Sequence, residues 1–376
     1  MKYYAGLDIS MKETAVCIMD ESGSIVKEGM VPTDPVKISK FLNKSGVLIS
    51  QVCMESGSLC HWLMGELRKL DVPIICVDSR HIAAVLATTI NKTDKNDARG
   101  LANALRCKIY REVHQKSINS IEKSTFLASR RTIVKQRVEI TNTIRGLLKS
   151  YGIRITISAT TNMFLEEVKK LIEGLPALAK TGLEELLKCA ESLHNQIKSL
   201  NTVVEKFAEE DEQAKLLQTI PGIGPVTAVN YLMEIDNPTR FKKSRSVGAY
   251  LGMTPTQYSS GETHKQGRIS KCGSKELRHL LMEAGFVVIT RSKKWSKLKS
   301  WGMKLSRKVG LKKAALAVGR KLAVIMHKML ITGKEFIYGE ENLKNDRATT
   351  LNKNLLETNS EQIVLTETVS MKVACA

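Results

Sequence analysis

Apolar positions over the first hundred residues fall into short runs at strand spacing and then change to helical spacing. Tyr3-Tyr4-Ala5-Gly6-Leu7-Asp8-Ile9 reads as one strand and Thr14 to Met19 as a second. Asp20-Glu21-Ser22-Gly23 reads as a turn, and Ser24 to Lys27 returns as a third strand. A helix is expected around residues 34–44. Val47 through Met54 predicts a buried strand that ends at Glu55. Leu59 to Leu70 predicts a helix, and Ile74 to Val77 another buried strand. A three-strand meander followed by alternating helix and parallel strand predicts an α/β domain over residues 1–115.

The next helix opens in Asn91-Lys92-Thr93-Asp94-Lys95-Asn96-Asp97-Ala98-Arg99. Ala98, Leu101, Ala102 and Leu105 give it one apolar face. Asp94 stands where an N-cap belongs, and Asp97, three residues on, shares its face. Capping explains two acids here. So does a cation, because like charges at this spacing repel unless one lies between them, and Mg²⁺ prefers carboxylate oxygens.

Residues 116–215 read as helical and highly charged. Ile140, Ile144, Leu147, Leu148 and Tyr151 keep one helix face. Leu183, Leu186, Ala190, Leu193, Ile197, Leu200, Val204 and Phe207 alternate steps of three and four. That heptad seam predicts a coiled coil between chains or, equally, a hairpin with the helix near 118–151 of the same chain. Residues 216–340 open with a helix, the glycine-containing hairpin Pro221-Gly222-Ile223-Gly224-Pro225 and a second helix. This is a helix-hairpin-helix pattern, in which Gly222 and Gly224 let backbone N–H groups approach a phosphate. A tight turn inside a helical core is the other reading. Thr254 to Gly261 reads as a turn-rich loop. Gly267 to Gly273 leads into a helix through Leu277, Arg278, Leu280 and Leu281. The polar stretch 341–376 carries no period and is expected to be a flexible tail.

Charge narrows the partner. Fifty-eight Lys and Arg against 38 Asp and Glu leave a net +20 on 376 residues. Such an excess points to a polyanion, nucleic acid before a membrane surface. From Arg291 to Lys328 all charged side chains are basic, thirteen in number, with Trp295 and Trp301 interleaved. Arg130, Arg131, Lys135, Arg137, Arg145 and Lys149 add phosphate contacts or a solvated face. No apolar run approaches the roughly 18 residues of a spanning helix, and the N-terminus lacks a signal-peptide pattern. The eight cysteines are scattered with no CxxC pair, which speaks against zinc and disulfides and for a reducing, cytoplasmic setting.

The acids then fall in telling places. Asp8 lies between Leu7 and Ile9 on the first strand, where a charge costs several kcal/mol (order of magnitude) unless paired or metal-bound. Glu55 ends the first parallel strand, where open α/β sheets place their sites. With Asp94 and Asp97, four carboxylates from three elements could converge on one or two divalent ions. This is the layout of a ribonuclease-H-like nuclease. In the third region, a Ser-Ser-Gly near Arg268, Lys271 and Arg278 reads by itself as a turn; with a metal or base to activate its hydroxyl, the serine could attack a phosphodiester that those cations neutralise.

Taken in order, these motifs resemble the DEDD transposases of bacterial insertion sequences, the group described as bridge-RNA-guided recombinases, together with a related site-specific DNA invertase. The resemblance spans roughly residues 3–335. It rests on Gly6-Leu7-Asp8-Ile9, Met54-Glu55-Ser56-Gly57, Lys92-Thr93-Asp94-Lys95-Asn96-Asp97-Ala98, Pro221-Gly222-Ile223-Gly224, Tyr258-Ser259-Ser260-Gly261 and Ile269-Ser270-Lys271 with Gly273 and Leu277-Arg278. It implies a RuvC-like N-terminal domain whose Asp8, Glu55, Asp94 and Asp97 bind Mg²⁺. It also implies a C-terminal transposase domain whose nucleophilic serine, just before a glycine, is Ser260, with Ser259 as the neighbouring alternative. That serine would form a covalent phosphoserine link to DNA. Acids and serine would meet in a composite site of a homodimer or homotetramer linked by the coiled coil. A structured guide RNA would choose the target. Ser56, where the family often has Ala-Thr, is the one departure near the acids.

The expected architecture is thus an α/β RuvC-like domain, a helical coiled-coil insert over 116–215, and a mostly α domain over 216–340. A plain RuvC-like, Mg²⁺-dependent junction nuclease is the first alternative; it would tolerate Ser260→Ala. A non-catalytic binding module is the second; it would bind DNA without the acids.

Overall fold

The computed structural model describes residues 1–87, 91–158 and 162–338. The tail from 341 lies outside the described residues. Two compact units are formed, Met1–Ser117 and the chain from Ile118 on.

The first unit is built on a mixed sheet of β1 (Tyr3–Ile9), β2 (Glu13–Asp20), β3 (Ile25–Pro32), β4 (Ile49–Glu55) and β5 (Ile74–Val77). Strand order is β3-β2-β1-β4-β5. The meander β1, β2, β3 pairs antiparallel, whereas β4 lies parallel to both β1 and β5. Between strands run α1 (Pro35–Asn43) and α2 (Cys60–Lys69); α3 (Ser79–Leu86) and α4 (Asp94–Arg106) follow β5.

Alternation along β1 and β4 decides what each face carries, since successive strand side chains point to opposite sides. Ala5 and Leu7 of β1 and Val52 and Met54 of β4 share a core with Ile38, Leu42, Leu63 and Leu67 of α1 and α2. The intervening residues Gly6, Asp8, Cys53 and Glu55 therefore face the other side. There α4 packs, with Ala98 and Ala102 against Ala15 and Cys17, and Leu101 and Leu105 against Cys53 and Val77. α3 is an element the apolar pattern did not announce: only Ile82 of it is buried, so no stripe is visible in sequence.

The second unit is helical. α5 (Ile118–Lys149), α6 (Asn162–Ile172) and α7 (Ala177–Glu210) are followed by α8 (Glu212–Gln218), α9 (Pro225–Ile235) and α10 (Arg245–Tyr250). The strands β6 (Pro255–Ser260) and β7 (Thr263–Ile269) precede α11 (Lys275–Thr290), α12 (Lys297–Val309) and α13 (Leu311–Thr332). Of the predicted seam of α7, Leu183, Ala190, Ile197 and Val204 are buried within the chain and Leu186, Leu193, Leu200 and Phe207 are half-buried; Leu187, off the seam, is buried too. Leu183, Leu187 and Ala190 meet Ile144 and Leu148 of α5 at one end, and Phe207 meets Phe126 edge-on at the other. This is the antiparallel hairpin, the intramolecular of the two readings. One arginine of α5 ties the hairpin and another reaches α6. Arg130 Nε donates to Asn201 Oδ1 of α7 at 2.8 Å, and the Arg145 guanidinium lies 5.1 Å from the ring centroid of Phe164 in α6.

The proximal ends of the hairpin, through Leu127, Val204 and Ala208, join the core formed by α8, α9, α11 and α13. Tyr231 is fully buried there and donates its hydroxyl to the Ala323 carbonyl at 2.6 Å. Tyr231→Phe should lower stability by about 1 kcal/mol, the net worth of one buried hydrogen bond, read as a lower denaturant midpoint with unchanged slope. No helix among the described residues is long and apolar enough to cross a membrane.

Candidate active site

The acid cluster starts from a helix cap. Thr93, not Asp94, is the N-cap of α4: its backbone is extended, and its hydroxyl accepts from the Asn96 N–H at 3.2 Å. Both residue types cap well, so spacing alone could not separate them. Asp94 is the first helical residue and Asp97 lies in the same turn. Capping is met by Thr93, and neither carboxylate is used for it.

Two features seat this turn over the sheet. Gly6 has no side chain where α4 crosses β1; a Cβ there would lie 2.2 Å from the Ala98 carbonyl oxygen and 2.5 Å from Ala102 N. Arg99, one turn into α4, grips Glu28 of β3 with Nε and Nη2 each 2.8 Å from a carboxylate oxygen. The pair holds the Glu28 carboxyl below its ordinary range. Arg99→Lys keeps the charge but loses the fork. It should raise the divalent-ion concentration needed for half-maximal cleavage about tenfold, the low end for an outer-shell change, with little change in melting temperature.

Asp8 sits half-buried beneath that turn. Burial first, and then repulsion from Asp97, Asp94 and Glu55, push its carboxyl up to about 6, while Lys92 opposes them. Burial likewise raises Glu55, with Lys92 pulling down and Asp97 pushing up. The four acids thus share one electrostatic neighbourhood, with Lys92 as the cation acting on both Asp8 and Glu55. Among the described residues no group of three or more His, Cys, Asp or Glu side chains is placed so that it could hold a metal ion. Mg²⁺ does not require such a group. It keeps several waters and takes one or two carboxylates plus substrate phosphates. An open, mutually repelling set of oxygens fits that ion. Ser56, the departure beside Glu55, fastens two elements together. Its hydroxyl accepts from the Ser79 N–H at 3.1 Å and ties the end of β4 to the start of α3.

In the second unit the expected loop at Thr254–Gly261 is the strand β6, which turns at Gly261 (φ +53°) into β7. Ser260 is the last residue of β6 and pairs with Thr263; Ser259 pairs with His264, and its hydroxyl lies 3.0 Å from His264 Nδ1. Both strands are almost wholly exposed, which is why no apolar alternation marks them. Arg268 is exposed on β7, and Lys271 is exposed in a left-handed backbone (φ +57°). Arg278 differs from them. It is half-buried, and its Nη1 donates to the Leu251 and Gly273 carbonyls at 3.1 and 2.6 Å, so it braces the loop before α11. Gly222 (φ +86°) packs against α11, with Ala284 O 3.0 Å from the place of its missing Cβ, whereas Gly224 N-caps α9 with open space around it.

Two family profiles match the chain. One, described as a DEDD transposase of the IS110 type, covers residues 5–153, and the other, "Transposase IS116/IS110/IS902 family", covers 214–300. The chain belongs to the IS110/IS116 family of transposases. Its chemistry is the cutting and rejoining of DNA. This transposase is 27% identical over 341 residues to the transposase for insertion sequence element IS1111A of Coxiella burnetii, an overlap of 86% of this chain and 88% of the relative. It is 31% identical over 130 residues to the pilin gene-inverting protein of Moraxella bovis, covering 34% of this chain and 40% of that one. Thermus thermophilus RuvC, solved with a Holliday junction substrate, aligns with 30% of this transposase and all of that chain, at 11% identity and a TM-score of 0.25.

Proposed function

We propose that this transposase excises and inserts an insertion element with a Mg²⁺-binding acid site, Asp8, Glu55, Asp94 and Asp97, and with Ser260 as nucleophile. The observation that carries the reading is that Glu55 of β4 and Asp97 and Asp94 of α4 all press on the half-buried Asp8 of β1, adding to its burial to hold the carboxyl near 6. Structural acids are ordinarily paired with bases; here three acids raise a fourth against the single opposing charge of Lys92. Bound Mg²⁺ would polarise the scissile phosphate and lower the barrier to attack. Asp8 and Glu55, on adjacent strands, and Asp94 and Asp97 of α4 would be the residues that hold the ion. Ser260 Oγ would form a bond to phosphorus as the bond from phosphorus to a sugar oxygen breaks, leaving a phosphoserine link. A hydroxyl of the incoming strand would reverse that step and release the serine. Arg268 and Lys271, both exposed, would neutralise phosphates; the N–H groups near Gly224 offer a further phosphate contact.

A structured guide RNA and a homodimer or homotetramer complete the proposal. The net charge of +20 and the run of thirteen basic residues suit an RNA as well as DNA. In that run Lys321 stacks 3.8 Å from the Trp301 centroid, while Trp295 stays 61% exposed.

A trapping assay tests the reading. The transposase, Mg²⁺, element DNA and the RNA encoded beside the gene are mixed and run on denaturing gels. A protein–DNA adduct that needs both Ser260 and Asp8 supports it. Cleavage without an adduct, indifferent to Ser260→Ala but lost with Asp8→Ala, would replace it with a hydrolytic nuclease. An adduct formed equally well without RNA would remove the guide.

A further inference from the structure

The β6–β7 hairpin carries its two serines on opposite faces, and the faces differ in chemistry. The register sets Tyr258 opposite Lys265, Ser259 opposite His264 and Ser260 opposite Thr263. Strand side chains alternate, so Tyr258, Ser260, Thr263 and Lys265 share one face and Ser259 and His264 the other. Two contacts bear this out. Ser259 Oγ meets His264 Nδ1 at 3.0 Å. On the Ser260 face, a Cβ on Gly267 would lie 3.4 Å from Tyr258 Cε2 and 2.3 Å from Thr256 Oγ1. Gly267 falls where β7 bulges, with Gly267 and Arg268 together opposite Thr256. The missing side chain leaves the Tyr258 ring its room, and that ring is 67% exposed.

We infer that the Tyr258–Ser260–Lys265 face is the DNA-reading face of the hairpin: Tyr258 stacks on a nucleobase beside the phosphate that Ser260 attacks, and Lys265 neutralises that phosphate. This rests on Ser260 being the nucleophile and adds its substrate subsite. Three complementary groups stand together there. A hydroxyl faces the phosphorus, a cation faces the non-bridging oxygens, and an exposed ring stands two residues away, about 6–7 Å along a strand. That is the reach from a phosphate to a neighbouring base. The opposite face offers a hydroxyl already bonded to an imidazole. A ring that stacks without hydrogen-bond readout tolerates any base but needs that base unstacked from its neighbours. The element DNA is therefore engaged with a base turned out at the cleavage step.

The test uses the full-length transposase and element DNA carrying 2-aminopurine next to the cleavage position, with the adduct digested and its serine mapped by mass spectrometry. Binding should change the 2-aminopurine fluorescence with the wild type and with Tyr258→Trp, and leave it unchanged with Tyr258→Ala. Tyr258→Ala should slow adduct formation about 5- to 150-fold, the ~1–3 kcal/mol of one stacked base at ~1.4 kcal/mol per tenfold. Tyr258 is exposed, so the variant keeps the fold, and Tyr258→Trp should restore the rate. Lys265→Ala should lower the slope of log affinity against log salt by about one. His264→Ala should leave the adduct rate unchanged. An adduct on Ser259 that disappears in His264→Ala would overturn the inference and leave serine attack standing. An adduct on Ser260 whose rate ignores Tyr258→Ala would overturn it too. Absence of any adduct with the wild type would remove serine attack, and this inference with it.

Discussion

Asp8→Asn should abolish strand cleavage and, in the absence of divalent ions, make the protein more stable at pH 8. Loss of one charged oxygen pair from a metal site removes several kcal/mol of transition-state stabilisation, so activity should fall at least ~10³-fold. The stability gain follows from the raised carboxyl. Asp8 binds its proton more tightly in the folded chain, with a value of about 6, than in the unfolded chain near 3.8. Its contribution to stability is therefore full below about pH 4 and is lost as pH rises through 6. Above that, an ionised Asp8 is held against burial, Asp97, Asp94 and Glu55, and Asn carries no such cost. Two pH units correspond to at most about 3 kcal/mol. Solvent reaches the half-buried carboxyl, so about 1 kcal/mol is the fair expectation, or a rise of about 2–4 °C in melting temperature. Thermal melts in EDTA at pH 4 and pH 8 check it: the two proteins should melt alike at pH 4 and separate at pH 8. Mg²⁺ should then raise the wild-type melting temperature and leave Asp8→Asn unmoved. A variant that melts lower at pH 8, or one that still cuts, would show that Asp8 is paired and structural.

The β1 strand and its acid were legible in sequence because a carboxylate interrupts a short apolar run at strand spacing. An alternating apolar run fixes which face a residue takes, so a carboxylate at an even position of β1 must lie opposite Leu7 and Ala5. Other features were not legible for equally physical reasons. The hairpin β6–β7 buries nothing, so its polar run looks like a loop, and the separation of Ser259 from Ser260 depends on a register that only pairing reveals. The cap of α4 depends on backbone angles that Thr93 and Asp94 would both accept. Arg278 advertises a charge, but its reach to the Leu251 and Gly273 carbonyls is a matter of tertiary placement. For α7, the seam residues at sevens (Leu183, Ala190, Ile197, Val204) are buried, whereas Leu186, Leu193, Leu200 and Phe207 are half-buried. What Leu183 and Ala190 are buried against, α5 and α6, and what Val204 joins, the core of α8, α9, α11 and α13, lie outside any periodicity.

Gly6→Ala should do the greatest damage of any single methyl addition in the first unit. The substituted Cβ would stand 2.2 Å from Ala98 O, 2.5 Å from Ala102 N and 2.8 Å from Leu101 Cβ. The first two are helix backbone, which cannot rotate away as a side-chain tip would. Either β1 or α4 must shift by about an ångström, against an interface that buries Ala98, Leu101, Ala102 and Leu105 almost completely. Overpacking in a close-packed core costs about 1–3 kcal/mol, and the upper end applies where backbone is struck. The functional loss should exceed the loss of stability. Asp8 lies two residues along β1 on the same face, and Asp94 and Asp97 ride on the helix that would be pushed off, so the acids separate while each is still present. Cleavage should therefore fail at temperatures where circular dichroism still reports the folded protein, and the Mg²⁺-induced rise in melting temperature should shrink with it. Added Mg²⁺ should recover part of the activity in Arg99→Lys, where α4 is loosened but still seated. It should recover none in Gly6→Ala, where the seat itself is filled.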